Sequence, residues 1–259
     1  MFPYFDSEHR IPVYGILFFL GILLSGLILF FLSKSSEKAK RFDIRLGSCF
    51  GRIGAFIGSK LLFVLTALPT IIEYHLSLIT ILRSGFVFYG GLIGGALGYL
   101  IYCLIYKIDF LARIDYVVVV VPLGQAIGRL GCFAAGCCYG RPTDSWLGVV
   151  YTHPADESTP VGVKLLPVQL FESAFCFLLF FLLLFLRLRK KTKIGTCVLV
   201  YLFGYCSFRF INEFYRYDAI RGNYGRLSTS QIISLVLIRT ALLGLLVNHV
   251  KQLWRLKQR

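Results

Sequence analysis

Acidic residues are scarce in this sequence: its 259 residues carry 13 Asp and Glu against 28 Lys and Arg, with four histidines, one methionine and two tryptophans. No long Pro/Gly/Ser linker and no low-complexity tract interrupts it, so nothing divides the chain into tethered pieces and a single domain over 1–259 is expected. His9, His75, His153 and His249 all lie outside the apolar runs or at their ends, which removes the usual in-membrane general base and metal ligand. Met1 to Ile11 is mixed in charge and the first apolar run has no A-x-A site, so that run is expected to stay as an anchor rather than be cleaved as a signal peptide. No repeat is strong enough to suggest alternating access, which weakens a small-solute transporter reading.

What the chain has in quantity is apolar sequence. It is 57% hydrophobic with a mean hydropathy of +0.72, too apolar for a soluble domain of this length. A spanning helix needs about 20 largely apolar residues. Seven runs qualify: Tyr14 to Leu32, Leu46 to Leu68, Val87 to Tyr106, Tyr116 to Phe133, Leu166 to Leu186, Ile194 to Tyr215 and Ser228 to Val250. The expected fold is therefore an all-α polytopic integral membrane protein with about seven transmembrane helices and small extracytoplasmic loops. Arg52 and Lys60 interrupt the second run, and a glycine-rich motif shortens the fourth.

A net charge of +15 would invite a nucleic-acid partner in a soluble protein, but here the basic residues flank the apolar runs and orient the chain instead. Connections after spans one, three and five, together with the C-terminus, hold sixteen Lys and Arg, among them Lys38, Arg41, Arg189 and Lys193. The opposite connections hold seven, among them Arg10, Arg141 and Arg216. The richer side is cytoplasmic, which puts the N-terminus outside.

Two arginines sit where charge is expensive. Arg129 lies in Gly128-Arg129-Leu130-Gly131-Cys132-Phe133-Ala134-Ala135-Gly136-Cys137-Cys138-Tyr139-Gly140-Arg141, at the end of the fourth run; Arg209 lies in the sixth, four residues before Glu213. A guanidinium centred in a lipid-exposed helix costs roughly 2.5 to 3.5 kcal/mol on insertion scales, so each needs an anion, and the commonest anion in a membrane is a lipid phosphate. Arg209 and Glu213 share a helix face at i, i+4, with Asn212 nearly beside them. Arg239, nearer the cytoplasmic end of span seven, is explained by snorkelling. Tyr14 and Tyr89 lie near the outer ends of spans one and three, as interfacial aromatics or as phenols able to act on a phosphate.

Five of the eight cysteines, Cys49, Cys103, Cys176, Cys197 and Cys206, fall in apolar runs and read as small hydrophobes. Cys132, Cys137 and Cys138 cluster without the paired C-x2-C spacing of a structural zinc site. Arg129 precedes Cys132 by one helical near-turn, a spacing that allows thiolate stabilisation but reads first as simple packing of a small residue beside Gly131. Gly51-Arg52-Ile53-Gly54-Ala55-Phe56 echoes Gly128 to Phe133, either as a duplicated anion-binding turn or as the small residues that packed membrane helices share. Gly90, Gly91, Gly94, Gly95 and Gly98 form a similar stripe, suited to close approach by a helix or a lipid head group.

Taken in order, these segments resemble the bacterial prolipoprotein diacylglyceryl transferase family. The resemblance rests on Pro12-Val13-Tyr14-Gly15, Gly51-Arg52-Ile53-Gly54, Gly90-Gly91-Leu92-Ile93-Gly94, Gly128-Arg129-Leu130-Gly131 through Tyr139-Gly140-Arg141, Pro167-Val168-Gln169-Leu170-Phe171-Glu172, Arg209 through Arg216, and Leu227-Ser228-Thr229-Ser230-Gln231. It implies transfer of a diacylglyceryl group from phosphatidylglycerol to a thiol acceptor, the lipobox cysteine of a prolipoprotein signal peptide, with release of glycerol phosphate. The implied setting is the bacterial cytoplasmic membrane, with membrane lipids as the surroundings, no nucleic acid and no metal or organic cofactor.

By the same resemblance Tyr14, Tyr89, Arg209 and Glu213 take catalytic positions. Arg129, Arg209, Gly90, Gly91, Cys132 and Gly140 bind substrate. Three departures stand out: the family usually has histidine where this chain has Tyr89, asparagine where it has Cys132 and glutamate where it has Cys137. The donor is thus implied more firmly than the acceptor, and a paralogue with another acceptor, or one that only binds phospholipid, is the alternative.

Reporter fusions after Lys40, Val150, Lys190 and Arg259 test the orientation. Only the fusion at Val150 is expected outside, and an external reporter at Lys190 would invert the topology.

Overall fold

The computed structural model describes residues 3–4, 12–34, 36–73, 75, 77, 79, 87–156, 158–189, 192–217, 223–224 and 227–257. They are mostly helical. In order they form α1 (Val13–Ser33), α2 (Lys38–Thr66), α3 (Leu68–Glu73), α4 (Phe88–Ile105), α5 (Phe110–Val117), a 3-10 turn (Val118–Val120) and α6 (Val121–Ala135). After strands β1 (Val149–Val150) and β2 (Lys164–Leu165) come α7 (Val168–Leu188), α8 (Thr196–Glu213), β3 (Asn223–Tyr224), β4 (Leu227–Ser228) and α9 (Thr229–Lys257).

Among these residues four helices are long and apolar enough to cross a membrane: Val13–Ser33, Lys40–Thr66, Phe110–Ala135 and Val168–Leu188. Tyr89–Ile105 and Thr229–Gly244 are shorter apolar helices. An all-α membrane fold is thus supported, with the count of seven finer than these lengths establish. Two boundaries differ from expectation for physical reasons. α2 begins at Lys38 rather than Leu46, because its basic first turns are helical without being apolar, and hydropathy reads the bilayer rather than the helix. The fourth run starts at Phe110 and passes through the 3-10 turn just before Pro122, whose ring and missing N–H are tolerated only in the first turn of a new helix.

The chain falls into two compact units, Met1–Ile28 with Val118–Arg259, and Leu29–Val117. In the second, α2 and α4 meet through glycine. A Cβ at Gly94 would stand 2.3 Å from the Gly54 carbonyl oxygen, and one at Gly58 would stand 2.4 Å from that of Gly90. Backbone touches backbone, as small-residue stripes allow in membranes, where packing rather than the hydrophobic effect draws helices together. Toward one end the stripe gives way to a buried cluster of Tyr99, Tyr102 and Cys103. There Arg113 forms a salt bridge to Asp43 at 3.0 Å. Arg45 caps the end of α1, donating from Nε to Ser33 Oγ at 3.0 Å while its guanidinium lies 3.8 Å from the Phe30 ring centre.

In the first unit α6, α7 and α8 pack side by side, with α9 against α8. Leu123, Ile127 and Phe180 form the apolar centre, flanked by Leu17, Leu24 and Ile28 of α1. Ser25 and Ser173 hydroxyls donate to the carbonyls of Val120 at 3.2 Å and Ala126 at 2.9 Å, tying α1 and α7 to the α6 segment. The expected extracytoplasmic loop after α6 is a folded cap rather than a loose connection. Val149 pairs with Leu165 and Val150 with Lys164, antiparallel, and Tyr151 and Leu165 are wholly buried. Its strand-like start pairs Gly140 with Arg216 beyond the end of α8.

Gly94→Ala tests the backbone contact. Forcing a methyl against a carbonyl is an overpacking change costing about 1–3 kcal/mol, which for a chain of this size lowers the thermal midpoint by about 2–12 °C. Gly26→Ala, with nothing within 4 Å of its added Cβ, is expected to leave the midpoint unchanged or slightly higher in the same detergent.

Candidate functional site

Arg129 is on α6, Glu172 on α7 and Arg209 and Glu213 on α8, so three neighbouring helices each bring charge to one interior point. Glu172 lies at its centre, with its side chain 1% exposed. Its Oε1 is 3.0 Å from Arg129 Nε and accepts the Tyr205 hydroxyl proton at 3.0 Å. Its Oε2 lies 3.5 Å from Arg209 Nη1. Arg209 in turn holds Glu213 Oε2 at 2.8 Å through Nη2 and reaches Ser230 Oγ at 3.4 Å. The pair of Arg209 and Glu213 expected from the i, i+4 spacing therefore forms. Glu172, which the charge analysis passed over, bridges the two arginines. A signal for it existed: it is the lone carboxylate of an apolar run and needs a counter-ion as much as any arginine does.

Several supports hold this arrangement. Tyr201 and Tyr205 stack in parallel on α8, centroids 5.7 Å apart, and the Tyr201 hydroxyl donates to Gln125 Oε1 at 3.1 Å. Ser230 is seated by a reciprocal cap at the start of α9: Ser228 N–H donates to Gln231 Oε1 at 3.0 Å, and Gln231 N–H to Ser228 Oγ at 3.2 Å. Among the described residues, Asn212 Nδ2 and Gln125 Nε2 are buried without a hydrogen-bond partner. Gln125 is four residues before Arg129 and Asn212 three after Arg209, so both amides share the arginine faces. Each guanidinium has five N–H donors, more than the contacts above use, and Arg129, 14% exposed, is the more accessible.

The α6 end turns sharply at Gly136, whose φ of 77° only glycine adopts readily; a Cβ there would meet Pro154 at 2.8 Å. Cys137 N–H donates back to Cys132 O at 3.1 Å and Gly136 N–H to Phe133 O at 3.1 Å, closing the helix as a Schellman motif. The sulfurs of Cys132, Cys137 and Cys138 consequently lie within 4.8 Å of one another, although their spacing in sequence is not that of a structural zinc site. Arg129 Nη1 is 3.9 Å from Cys132 Sγ. Hydrogen bonds from Cys132 and Cys137, aided by the charges of Arg216 and Arg129, hold the Cys138 thiol well below the ordinary range. Hydrogen bonds to Cys132 and Cys138 push Cys137 up. Behind them burial raises the Tyr151 phenol to about 12, and Gln169 links it to the helix end by donating to Cys137 O at 2.7 Å.

The other expected site residues are distributed as follows. The Tyr14 ring lies against Gly131, whose added Cβ would be 3.1 Å from it, and Tyr14 lines a cavity of about 270 Å³ with Cys137, Ala135 and Asp156. Gly140 donates to Leu166 O at 2.9 Å where any Cβ would be 2.7 Å from that oxygen, so it is a threading point of the cap. Tyr89, Gly90 and Gly91 belong to the second unit, at the start of α4. Tyr89 is buried, and Gly90 and Gly91 face α2 near Gly58, Ala55 and Ser59, which gives the stripe a helix as its partner.

The chain is 39% identical over 243 residues to the phosphatidylglycerol–prolipoprotein diacylglyceryl transferase of Clostridium tetani, covering 93% of each chain. It is 36% identical to transferase 2 of that name from Clostridium perfringens, again covering 93% of each, and 28% identical to that of Erwinia tasmaniensis over 100% of this chain and 94% of the relative. The family described as "Prolipoprotein diacylglyceryl transferase" matches residues 4–247, so this chain belongs to the prolipoprotein diacylglyceryl transferase family.

Proposed function

We infer that this chain transfers a diacylglyceryl group from phosphatidylglycerol to an acceptor thiol, the lipobox cysteine of a prolipoprotein, with release of glycerol phosphate. The observation that carries this reading is the bridge from Arg129 through Glu172 to Arg209, two fixed cations held inside the helix bundle. Breaking the carbon–oxygen bond to the phosphodiester adds negative charge to the departing phosphate. Donors already aimed at that position stabilise the transition state more than the bound lipid.

Arg129, with Nη groups beyond its Glu172 contact, takes the phosphate first, and Arg209 sits deeper. Glu172 and Glu213 are positioning residues that keep the guanidinium planes from pairing elsewhere. The unpartnered amides of Asn212 and Gln125 supply donors to the oxygens of the head group. Tyr14, at the cavity mouth, and Tyr89, at the family's histidine position, are the phenols assigned to proton movement or phosphate contact. Cys132 and Gly140 line the substrate side. The spans number seven, with the N-terminus outside and the C-terminus cytoplasmic, so the arginines face the outer leaflet of the bacterial cytoplasmic membrane. A paralogue with a different acceptor is the second reading, favoured by Tyr89, Cys132 and Cys137 where the family pattern differs.

With radiolabelled phosphatidylglycerol and a lipobox peptide, Arg129→Ala and Arg209→Ala are each expected to lose about 10²- to 10³-fold in rate. Glu172→Gln is expected to lose rate as well and to lower the thermal midpoint, since removing one partner of a buried pair costs about 3–5 kcal/mol. The exposed Arg239→Ala should match the unaltered chain. Near-normal transfer by Arg129→Ala would end the phosphate-clamp reading, and failure of the unaltered chain to rescue a transferase-depleted strain would move the acceptor elsewhere.

Tyr89 has its own test in the same assay. Tyr89→His should retain most activity while Tyr89→Phe loses it, because only a hydroxyl or an imidazole exchanges a proton there; an active Phe variant would reduce Tyr89 to packing.

A further inference from the structure

We propose that Cys132, Cys137 and Cys138 hold a zinc ion whose fourth position takes the acceptor thiol as a thiolate. The proposal rests on the transfer reading above and names how the acceptor is activated. Three observations carry it. The three sulfurs lie within 4.8 Å of one another, and a tetrahedral zinc with sulfur at about 2.3 Å needs sulfurs about 3.8 Å apart, a closure within reach of side-chain rotation. The thiols are brought together by backbone, not by chance rotamers: the Schellman turn at Gly136 and the left-handed φ of 61° at Cys138 return Cys137 and Cys138 to the Cys132 end of α6. Cys137, alone of the three, also lines the cavity of about 270 Å³ beside Tyr14, which gives the group one member open to an incoming ligand.

The chemistry of the donor set selects the metal. Three soft thiolates favour zinc or copper(I) over magnesium or calcium, and three protein ligands with one open position is the pattern of a catalytic rather than a structural zinc site. Three thiolates on a divalent ion leave one net negative charge and the acceptor thiolate adds a second; the cation beside Cys132 is Arg129, whose Nη1 is 3.9 Å from Cys132 Sγ while its Nε is held by Glu172. Zinc-bound thiols are deprotonated outright yet remain nucleophilic. On binding zinc the acceptor thiol releases its proton to solvent; the sulfur then leaves zinc to form a sulfur–carbon bond at the glyceryl carbon, the bond from that carbon to the phosphate oxygen breaks, and the departing glycerol phosphate leaves as the dianion or takes up a proton from solvent. No electrons are gained or lost, and zinc returns to its three protein ligands.

The full-length protein in detergent, reduced, stripped with chelator and dialysed against Zn²⁺ alone, should retain one zinc per chain. Zinc should protect three thiols from iodoacetamide in the unaltered chain, a readout that needs no variant to fold. Cys132→Ser, Cys137→Ser and Cys138→Ser should each weaken zinc binding at least 100-fold, and exposed Cys49→Ser should not. With Co²⁺ in place of zinc, thiolate charge-transfer bands should appear and shift when a lipobox peptide is added, but not its Cys→Ser counterpart. Absence of metal and of protection, copper(I) binding without zinc, or a cobalt spectrum indifferent to the acceptor would each overturn the site. Undiminished transfer by metal-free protein would overturn it while leaving the transfer reading intact. A zinc-loaded chain that never labels the peptide would instead overturn the transfer reading and, with it, the acceptor role given to the metal.

Discussion

A single carboxylate, that of Glu172, holds this structure's polar interior together. Two guanidinium groups inside an apolar bundle repel each other and each requires an anion. Glu172 gives Oε1 to Arg129 and Oε2 to Arg209, so one side chain on α7 fixes α6 against α8. Buried ion pairs of this kind contribute little net stability beyond what apolar packing would, because desolvation offsets most of the attraction. Their value lies in specificity. Slipping α7 by one residue would swing Glu172 about 100 degrees around the helix and strand both arginines, so the charges set the register that Leu and Phe on the same helices leave loose.

Around that centre the polar residues are layered. Tyr205 bonds Glu172, the Tyr201 ring stacked on it bonds Gln125, Ser230 joins from α9, and Glu213 closes the far side of Arg209. The result is neutral in the sum of its two arginines and two glutamates, yet it keeps guanidinium donors and two amide nitrogens uncommitted. A phosphodiester entering such a place finds fixed dipoles in exchange for water.

The helical fold was legible because bilayer spans are written as long apolar runs, and the ends of α1, α4 and α7 fall within two residues of where those runs place them. Polar helical turns were not legible, which is why Lys38 to Arg45 reads as a connection and yet coils. Arg129, Arg209 and Glu213 were visible because charge in apolar sequence is conspicuous and i, i+4 spacing is local. Glu172 was equally conspicuous, but its partners come from other helices, and single-sequence spacing cannot pair residues 37 and 43 positions apart. The three cysteines were visible as neighbours in sequence, but the convergence of their sulfurs was not: it depends on Gly136 reversing the chain, and helix periodicity drawn through it points Cys137 and Cys138 elsewhere. The cap was the least legible part, since Tyr151 and Leu165 are buried by pairings only two residues long.

The bridge of Gly140 to Arg216 has a consequence in time rather than in space. Those residues are 76 positions apart, with α7 and α8 between them. At synthesis rates of about 5–20 residues per second, the strand from Tyr139 to Arg141 waits on the order of 4 to 15 seconds for its partner to emerge. Leu165 and the Gln169 amide, which contact Tyr151 and the end of α6, emerge within that interval, so the partners of the cap become available in two stages. Arg141 N–H, which finds the Tyr215 carbonyl at 2.9 Å only in the second, marks the moment when α8 has arrived and Arg209 can meet Glu172.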